Sequence, residues 1–289
     1  MQKILVTGAH GQLGSEIKML APHYPHFDFI FTDIEDFPLD QSEVIQENFK
    51  RIQPDIVINC AAYTAVDRAE QDTVVADAIN HLAIATLANL CSASGAKLVH
   101  ISTDYVFDGS SPVAYTEEDE PNPKSVYGVT KLAGETSCLK NCPDSIIIRT
   151  AWVYSEFGNN FVKTMLRLMS ERATLNVVND QVGSPTYAAD LAQVILTIID
   201  STQWEAGIYH YSNAGEISWF DFAQDIKEIA NKTCEIKGIP ASDYPTPAER
   251  PAYSLLDKSK IKAVYGIEAV DYKLSLKKMM GRLQAADFS

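Results

Sequence analysis

The sequence has few basic residues and no long apolar run. It carries 24 Lys and Arg against 38 Asp and Glu, a net charge of −14, and so offers little basic surface to a nucleic-acid partner. Its apolar runs are far shorter than the roughly 20 residues of a membrane span. The N-terminal MQKILVTG predicts a strand and no signal peptide. We therefore expect a cytoplasmic protein with no membrane partner, in which a few local cations can still bind an anionic small molecule.

Cysteine is also scarce. The five cysteines are scattered and odd in number. Cys138 and Cys142 have the spacing to share a helical face, but no second ligand pair accompanies them. The six histidines show no metal-ligand spacing. Reduced thiols and no catalytic metal are therefore expected.

Strand and helix signals alternate along the first half of the 289 residues. Short apolar runs predict buried parallel strands at 3–7, 27–32, 56–59, 97–102 and 145–149. The helices predicted between them lie at 12–20, 42–52, 74–94 and 127–138. This alternation is typical of an α/β fold, a Rossmann-type doubly wound parallel sheet with helices on both faces.

The character of the sequence changes after about residue 150. Helix signals continue at 161–171, 188–200 and 219–230, whereas the Pro- and Tyr-rich stretch 240–251 indicates an irregular loop. We predict a dinucleotide-binding domain over 1–150. A smaller C-terminal lobe over 151–289 is expected to bind the substrate, with some segments returning to the Rossmann core.

A glycine-rich turn follows the first strand. Gly8, Gly11 and Gly14 lie between a strand and a helix, which is the context that a dinucleotide fingerprint requires. The first glycine permits the tight turn, the second lets the backbone approach a diphosphate, and the third lets the helix pack on the sheet. The helix N-terminus then favours the anion. The other residues of the turn expected at the cofactor are His10, Gln12 and Leu13.

Asp33 ends the second predicted strand. A carboxylate there accepts hydrogen bonds from the adenosine ribose and repels a 2′-phosphate, so NADH is favoured over NADPH. The alternative is a solvated acid at a strand end. Asp40 has two interpretations, a contact to the adenine amino group or a helix cap. Small residues after the third strand favour close approach of the dinucleotide, and the residues expected there are Ala61, Ala62 and Tyr63.

Three side chains further along the chain are suited to proton chemistry. Tyr127 and Lys131 lie four residues apart, so they share one face of the predicted helix. The ammonium group is expected to lower the pKa of the phenol, ordinarily about 10, by favouring the phenolate. Thr103 directly follows a predicted strand, and its hydroxyl is placed to hold the oxygen that Tyr127 protonates. Beside a dinucleotide site, this set predicts hydride transfer coupled to proton transfer.

Several segments, in this order, carry a wider resemblance. They are VTGAHGQLG, NCAAYTAVD, STDYVFDG, the pair Tyr127 and Lys131, RTAWVY, NDQVGSPT and RPAYSLLD. Over nearly the whole chain they resemble the extended short-chain dehydrogenase/reductase family, and within it the reductases of dTDP-linked 4-ketosugars. The resemblance implies an oxidoreductase of nucleotide-sugar biosynthesis. It would use NADH or NADPH to reduce the C4 ketone of dTDP-4-dehydro-L-rhamnose to dTDP-L-rhamnose.

The resemblance also implies roles for individual residues. Tyr127 would be the proton donor, and Lys131 would support it and bind the nicotinamide ribose. Thr103 stands where many relatives have serine. The residues implied at the substrate are Thr103, Asp104, Tyr105, Trp152, Asn160 and Gly183. Trp152 has a second interpretation as a core residue.

Arg250, in PAERPAYS, is a candidate cation for the substrate diphosphate. In so acidic a chain, the alternative is that a carboxylate partner neutralises it.

The residues after Thr103 distinguish related chemistries. Similar 4,6-dehydratases carry Thr-Asp-Glu, whereas Tyr105 here replaces the second acid. Elimination of water needs both an acid and a base, so net reduction is preferred. The alternatives are a reductase or epimerase of another nucleotide-linked 4-ketosugar, or a non-catalytic regulatory subunit that binds dinucleotide.

Some relatives dimerise through magnesium held by glutamates. Glu16 matches one of these ligands, but Ala189 stands at a second position, and no acidic ligand is evident in the C-terminal GRLQAADFS. The sequence therefore argues against a magnesium-bridged dimer and leaves a monomer or a homodimer open.

Overall fold

The computed structural model describes residues 1–287, so the last two residues of GRLQAADFS lie outside the described part. The strands are β1 (Gln2–Thr7), β2 (Phe27–Thr32), β3 (Ile56–Asn59), β4 (Lys97–Thr103), β5 (Ile146–Thr150), β6 (Val153–Tyr154), β7 (Thr174–Val178), β8 (Val182–Gly183), β9 (Thr186–Tyr187), β10 (Gly207–His210), β11 (Ile217–Ser218) and β12 (Glu235–Ile239). The α-helices are α1 (Gln12–Leu20), α2 (Ser42–Ile52), α3 (Val66–Ala69), α4 (Thr73–Asp77), α5 (Ala83–Ser94), α6 (Val126–Asn141), α7 (Phe161–Glu171), α8 (Ala188–Asp200), α9 (Trp219–Ile229), α10 (Ser259–Tyr265) and α11 (Tyr272–Asp287).

Six strands form a parallel sheet in the order β10-β5-β4-β3-β1-β2. Strand β1 pairs with β2 on one side and with β3 on the other, so the direction of winding reverses at β1. Doubly wound sheets bind ligands in the crevice outside the carboxyl ends of the strands at this reversal. The predicted Rossmann-type fold is confirmed.

Helices cover both faces of this sheet. Because side chains alternate along a strand, Ile4 and Val6 of β1 pack with α1 and α8, whereas Leu5 packs with α2 and α5 on the opposite face. Helix α8 and strand β10 come from the second half of the chain, and both belong to this sheet's layers.

The second half of the chain also builds a hydrophobic core of its own. Met165 of α7, Phe222 of α9, Ile236 of β12 and Leu276 of α11 lie in one cluster of buried side chains. Strands β7 and β12 form a separate parallel pair beside these helices. This lobe faces the carboxyl edge of the large sheet through the short strands β6 and β9, which follow β5 and precede α8.

The helix predicted over 74–94 is interrupted. A π-helical turn, Ala78–Leu82, joins α4 to α5. The whole stretch, Thr73–Ser94, passes a length and hydropathy test for crossing a membrane, with a mean hydropathy of 1.4. A core helix passes the same test, and here Leu87, Ala88 and Cys91 are buried against the sheet.

Candidate active site

A cavity of about 940 Å³ lies where β1, β3 and β4 end. It is lined by most of the residues that the sequence predicts for the site, namely Gly8, Gly11, Gln12, Leu13, Asp33, Ala61, Ala62, Tyr63, Thr103, Asp104, Tyr105, Tyr127, Lys131 and Trp152. The structure therefore brings the glycine turn and the proton-transfer residues into one cavity.

The geometry of the glycine turn explains its glycines. Gly8 has a φ of 67°, in the left-handed region, and a Cβ there would lie 2.8 Å from the Ala61 backbone. A Cβ on Gly14 would lie 2.2 Å from the Gly8 carbonyl oxygen, because α1 packs closely against the turn. Gly11 is the N-cap of α1 and has no side chain to cap it. The first N–H groups of α1 are therefore left for an anion.

Asp33 is fixed by the backbone around it. Its Oδ2 accepts a hydrogen bond from the His10 N–H at 2.6 Å, and its Oδ1 accepts one from the Ile34 N–H at 2.8 Å. The His10 ring lies 3.9 Å from Glu35, which brings a second carboxylate to this end of the cavity. This end of the cavity is therefore acidic.

Asp40 also lines the cavity. The N-cap of α2 is Gln41, so Asp40 does not cap that helix, and the interpretation of Asp40 as a cap is wrong. A contact from Asp40 to the adenine amino group stays a prediction.

Helix α6 carries the tyrosine and the lysine. Its N-cap, Ser125, accepts a hydrogen bond from the Gly128 N–H at 3.2 Å. A Cβ on Gly128 would lie 2.3 Å from the Tyr105 carbonyl oxygen, so the first turn of α6 packs directly on the segment after β4. The rings of Tyr105 and Tyr127 meet edge to face, with centroids 5.5 Å apart.

The expected lowering of the Tyr127 pKa is wrong for this structure. Burial raises the pKa of Tyr127 to about 12, the Thr103 hydroxyl partly opposes this, and Asp104 adds to it. The ammonium of Lys131 is directed elsewhere, to the Ile101 carbonyl oxygen at 2.6 Å. Tyr127 therefore keeps its proton at neutral pH, which is the form a proton donor needs.

Lys131 is itself held by a buried polar network. Its Nζ lies 3.4 Å from Nε2 of His100, and Nδ1 of His100 lies 3.0 Å from the Asn59 amide nitrogen. Burial lowers the pKa of Lys131 to about 8, and Glu135 opposes this shift. The sequence analysis missed His100 and the side chain of Asn59. The only indication of these two residues in the sequence is that each is a polar residue in an otherwise apolar, buried strand.

Thr103 and Asp104 form the polar floor of the cavity. The Thr103 hydroxyl donates to Oδ1 of Asp104 at 3.1 Å and accepts from the Tyr105 N–H at 3.2 Å. Burial raises the pKa of Asp104 to about 6. Within residues 1–287, Oδ2 of Asp104 and Oγ of Ser102 are buried without a hydrogen-bond partner. Such atoms are costly to bury, and both residues line the cavity.

Five predicted site residues lie beside this cavity instead of lining it. They are His10, Gly14, Asn160, Gly183 and Arg250. Asn160 caps α7 by accepting from the Lys163 N–H, and it donates to the Gln12 side chain at 3.0 Å. Gly183 packs against the Trp152 indole.

Arg250 has the carboxylate partner that the sequence left open. Its guanidinium makes two hydrogen bonds to Asp67, at 2.9 and 2.8 Å. The Arg250 guanidinium holds the pKa of the Asp67 carboxyl below its usual range. The sequence analysis had not assigned Asp67.

The residues around Glu16 do not fit a magnesium ion. Glu16 accepts from the Ser155 hydroxyl at 2.6 Å and pairs with Arg282 at 3.3 Å. The same guanidinium pairs with Glu156 at 2.7 Å. Arg282, a cation of the chain itself, therefore already pairs with both carboxylates, and Ala189 offers no side-chain oxygen.

Comparison with known proteins places this site in a family. The model described as the RmlD substrate binding domain matches residues 1–285. A dTDP-4-dehydrorhamnose reductase of Aggregatibacter actinomycetemcomitans is 39% identical over 287 residues, which are 96% of this chain and 98% of that protein. The chain belongs to the dTDP-4-dehydrorhamnose reductase family.

Two solved structures of dTDP-4-dehydrorhamnose reductases agree with this. One, from Clostridium acetobutylicum, has a TM-score of 0.94 and 42% identity, covering 98% of this chain and 100% of that one. The other, from Bacillus anthracis in complex with NADP, has a TM-score of 0.93 and 37% identity with the same coverage. The predictions of the family, of an oxidoreductase and of a nicotinamide dinucleotide cofactor are confirmed.

Proposed function

We propose that the protein reduces the C4 ketone of dTDP-4-dehydro-L-rhamnose to dTDP-L-rhamnose with NADH or NADPH. One observation carries the proposal: a single cavity is lined by the glycine turn before α1 and by Thr103, Tyr127 and Lys131. A dinucleotide whose diphosphate lies at α1 would extend along the cavity toward Tyr127.

The residues of the chain supply the proton and the orientation. When bound, the nicotinamide supplies a hydride to the ketone carbon. Tyr127 gives its phenolic proton to the oxygen that gains charge, which satisfies the proton balance of the reduction. The Thr103 hydroxyl turns from Asp104 to that oxygen and stabilises the charge. Lys131 would bind the nicotinamide ribose.

The cofactor preference is proposed from Asp33 and Glu35. Both carboxylates lie within 4 Å of the His10 ring, at the end of the cavity where we place the adenosine, so they would favour NADH over the more negative NADPH. The relative from Bacillus anthracis holds NADP, so this preference is proposed for the present chain alone.

The remaining parts of the proposal concern the substrate and its setting. We place the sugar at Asp104, Tyr105 and Trp152, and the nucleotide toward Asn160, Gly183 and Arg250. Residues 1–150 would chiefly bind the dinucleotide and residues 151–289 the nucleotide-sugar. We further propose a cytoplasmic monomer or homodimer that binds neither nucleic acid nor membrane.

Turnover tests the proposal. Purified protein should oxidise NADH when dTDP-4-dehydro-L-rhamnose is added, with one dTDP-L-rhamnose formed per NADH, as followed by nicotinamide absorbance and product analysis. Tyr127→Phe should lose about 10²- to 10⁴-fold in turnover, the range of general acid catalysis, and should keep its affinity for NADH. Tyr24→Phe, in a tyrosine remote from the cavity, is the matched control.

The alternatives give different outcomes. An epimerase would convert its sugar without net NADH oxidation, and a regulatory subunit would bind NADH without turnover. Turnover only with a different nucleotide-linked ketosugar would refute the substrate and retain the reaction class. Full activity in Tyr127→Phe would refute the assigned acid.

A further inference from the structure

Trp152 has a backbone conformation that is unusual for a bulky residue. Its φ is 48°, in the left-handed region where side chains with a Cβ are strained. The other non-glycine residues with positive φ in the described chain are Gln53, the C-cap of α2, and Asn231, two residues after the end of α9. Trp152 instead lies between β5 and β6 and lines the cavity. Strain of this kind persists only where neighbouring contacts hold it.

The contacts that hold Trp152 come from the C-terminal lobe. The Trp219 ring stacks on it with centroids 3.6 Å apart and planes 13° from parallel. A Cβ on Gly183 would lie 3.0 Å from the Trp152 indole, so the indole rests against the backbone of β8. The Trp152 carbonyl oxygen accepts from the Thr186 N–H at 3.2 Å. These contacts therefore hold the ring face, the ring edge and the backbone of Trp152 in place.

Trp219 is itself held firmly at the start of α9. The preceding residue, Ser218, forms a capping box with Asp221, which fixes the first turn of the helix. The Phe161 ring packs beside Trp219, with centroids 4.6 Å apart. Trp219 is not among the residues that line the cavity within the described chain, so it acts there only through Trp152.

We propose that Trp219 is a positioning residue for the nucleotide-sugar, because its stack holds Trp152 in the strained conformation that forms the cavity wall. The proposal rests on the proposed function for the identity of the ligand. Without Trp219, Trp152 relaxes to an ordinary backbone conformation, and binding must restore the strained one. Apparent affinity then falls by the fraction of molecules that are competent to bind.

The expected effect is specific to the sugar. Trp219→Leu should raise the KM for the nucleotide-sugar about tenfold, with kcat and the KM for NADH nearly unchanged. Tenfold corresponds to about 1.4 kcal/mol, which is the size of strain that one left-handed non-glycine residue stores. Trp219→Phe keeps an aromatic stack and should restore most of the affinity. Gly183→Ala, which displaces the indole from the other side, should also raise this KM.

A spectroscopic measurement tests the stack without relying on turnover. Two indoles in this geometry give an exciton-coupled circular dichroism signal in the ligand-free protein. Trp152→Phe and Trp219→Phe should each remove it. Trp204→Phe should leave it and the kinetics unchanged, because Trp204 packs on Lys97 away from the cavity. Thermal unfolding of each variant confirms that it is folded.

The outcomes separate the two proposals. If the sugar is not turned over at all, the proposed function fails, while the circular dichroism signal and the binding of dTDP-L-rhamnose still report on the stack. If Trp219→Leu or Gly183→Ala binds this ligand as tightly as the wild type, the positioning role is overturned.

Discussion

Burial sets the proton affinities of the residues around the cavity. It raises the pKa of Tyr127 to about 12 and that of Asp104 to about 6, and it lowers the pKa of Lys131 to about 8. Each shift favours the neutral form of its group. At neutral pH, Tyr127 therefore keeps its proton, whereas Asp104 remains mostly ionised and Lys131 mostly protonated. The buried phenol and the Thr103 hydroxyl are the O–H groups available to the charge that develops on the sugar oxygen.

At Asp33, we expect a substitution to change the choice of cofactor. Asp33→Ala removes one of two carboxylates at the adenosine end, so the ratio of kcat/KM for NADPH over NADH should rise about tenfold or more through loss of repulsion and of the ribose hydrogen bonds. Steady-state kinetics with both cofactors measure the ratio. Asp28→Ala, in an exposed acid at the start of β2, should leave it unchanged. An unaltered ratio in Asp33→Ala would rule out Asp33 as the discriminating residue.

At the scale of elements, the close packing of α6 on its neighbours positions Tyr127 and Lys131. A Cβ on Gly134 would lie 2.1 Å from the Asn80 carbonyl oxygen in the π-helical turn. That turn directs the Asn80 side chain to the backbone of Tyr63 and to Thr130 of α6. The turn, α6 and the cavity wall are therefore one packed unit.

This close packing predicts that adding a methyl group at Gly134 destabilises the protein. Gly134→Ala should lower the free energy of unfolding by about 1–3 kcal/mol, since the methyl group overpacks a rigid backbone contact. Gly281→Ala is a matched control in α11, where a Cβ meets open space. That change should instead stabilise the helix by about 0.5–1 kcal/mol. Chemical denaturation measures both values, and equal effects at the two glycines would contradict the packing argument.

Local patterns predict some elements and not others. Strand β1 and the glycine turn follow from short-range signals, namely an apolar run and the spacing of Gly8, Gly11 and Gly14. The π-helical turn does not, because Asn80 is specified by contacts to Tyr63 and α6 from distant parts of the chain. Strand β10 was missed for the same reason, since four residues become a strand only by pairing with β5.

Some features of the site also follow from local sequence patterns, and others depend on the folded structure. The four-residue spacing of Tyr127 and Lys131 predicts that they share one face of a helix. The pKa of the Tyr127 phenol depends on its burial, which the spacing does not predict. Arg250 and Asp67 are 183 residues apart, so their pairing is visible only after folding. The left-handed backbone of Trp152 likewise has no local signal.

At the scale of the whole molecule, Arg282 joins the two ends of the chain. It links α11 to Glu16 of α1 and to Glu156 after β6. Burial is the main cause that raises the pKa of Glu16 to about 7. In the unfolded chain, a glutamate has a pKa of about 4.3. The folded state therefore binds the Glu16 proton more tightly than the unfolded state does.

The sign of the resulting pH dependence follows from linkage. Stability that derives from this proton is fully present below about pH 4.3 and is lost as the pH rises to about 7 and above. Glu16→Gln keeps a partner for the Ser155 hydroxyl and cannot ionise, so its stability should fall less over this range than that of the wild type. Thermal unfolding across the range measures the difference. Glu47→Gln, in an exposed acid of α2, should follow the wild type, and parallel curves for wild type and Glu16→Gln would refute the assignment.

The return of α8 and β10 to the large sheet constrains how this protein can be re-engineered. A fragment cut after β5 would expose the edge of β5 that β10 covers and the apolar sheet face beneath α8. Grafting the C-terminal lobe of one relative onto the N-terminal half of another therefore requires several matched junctions, not a single splice.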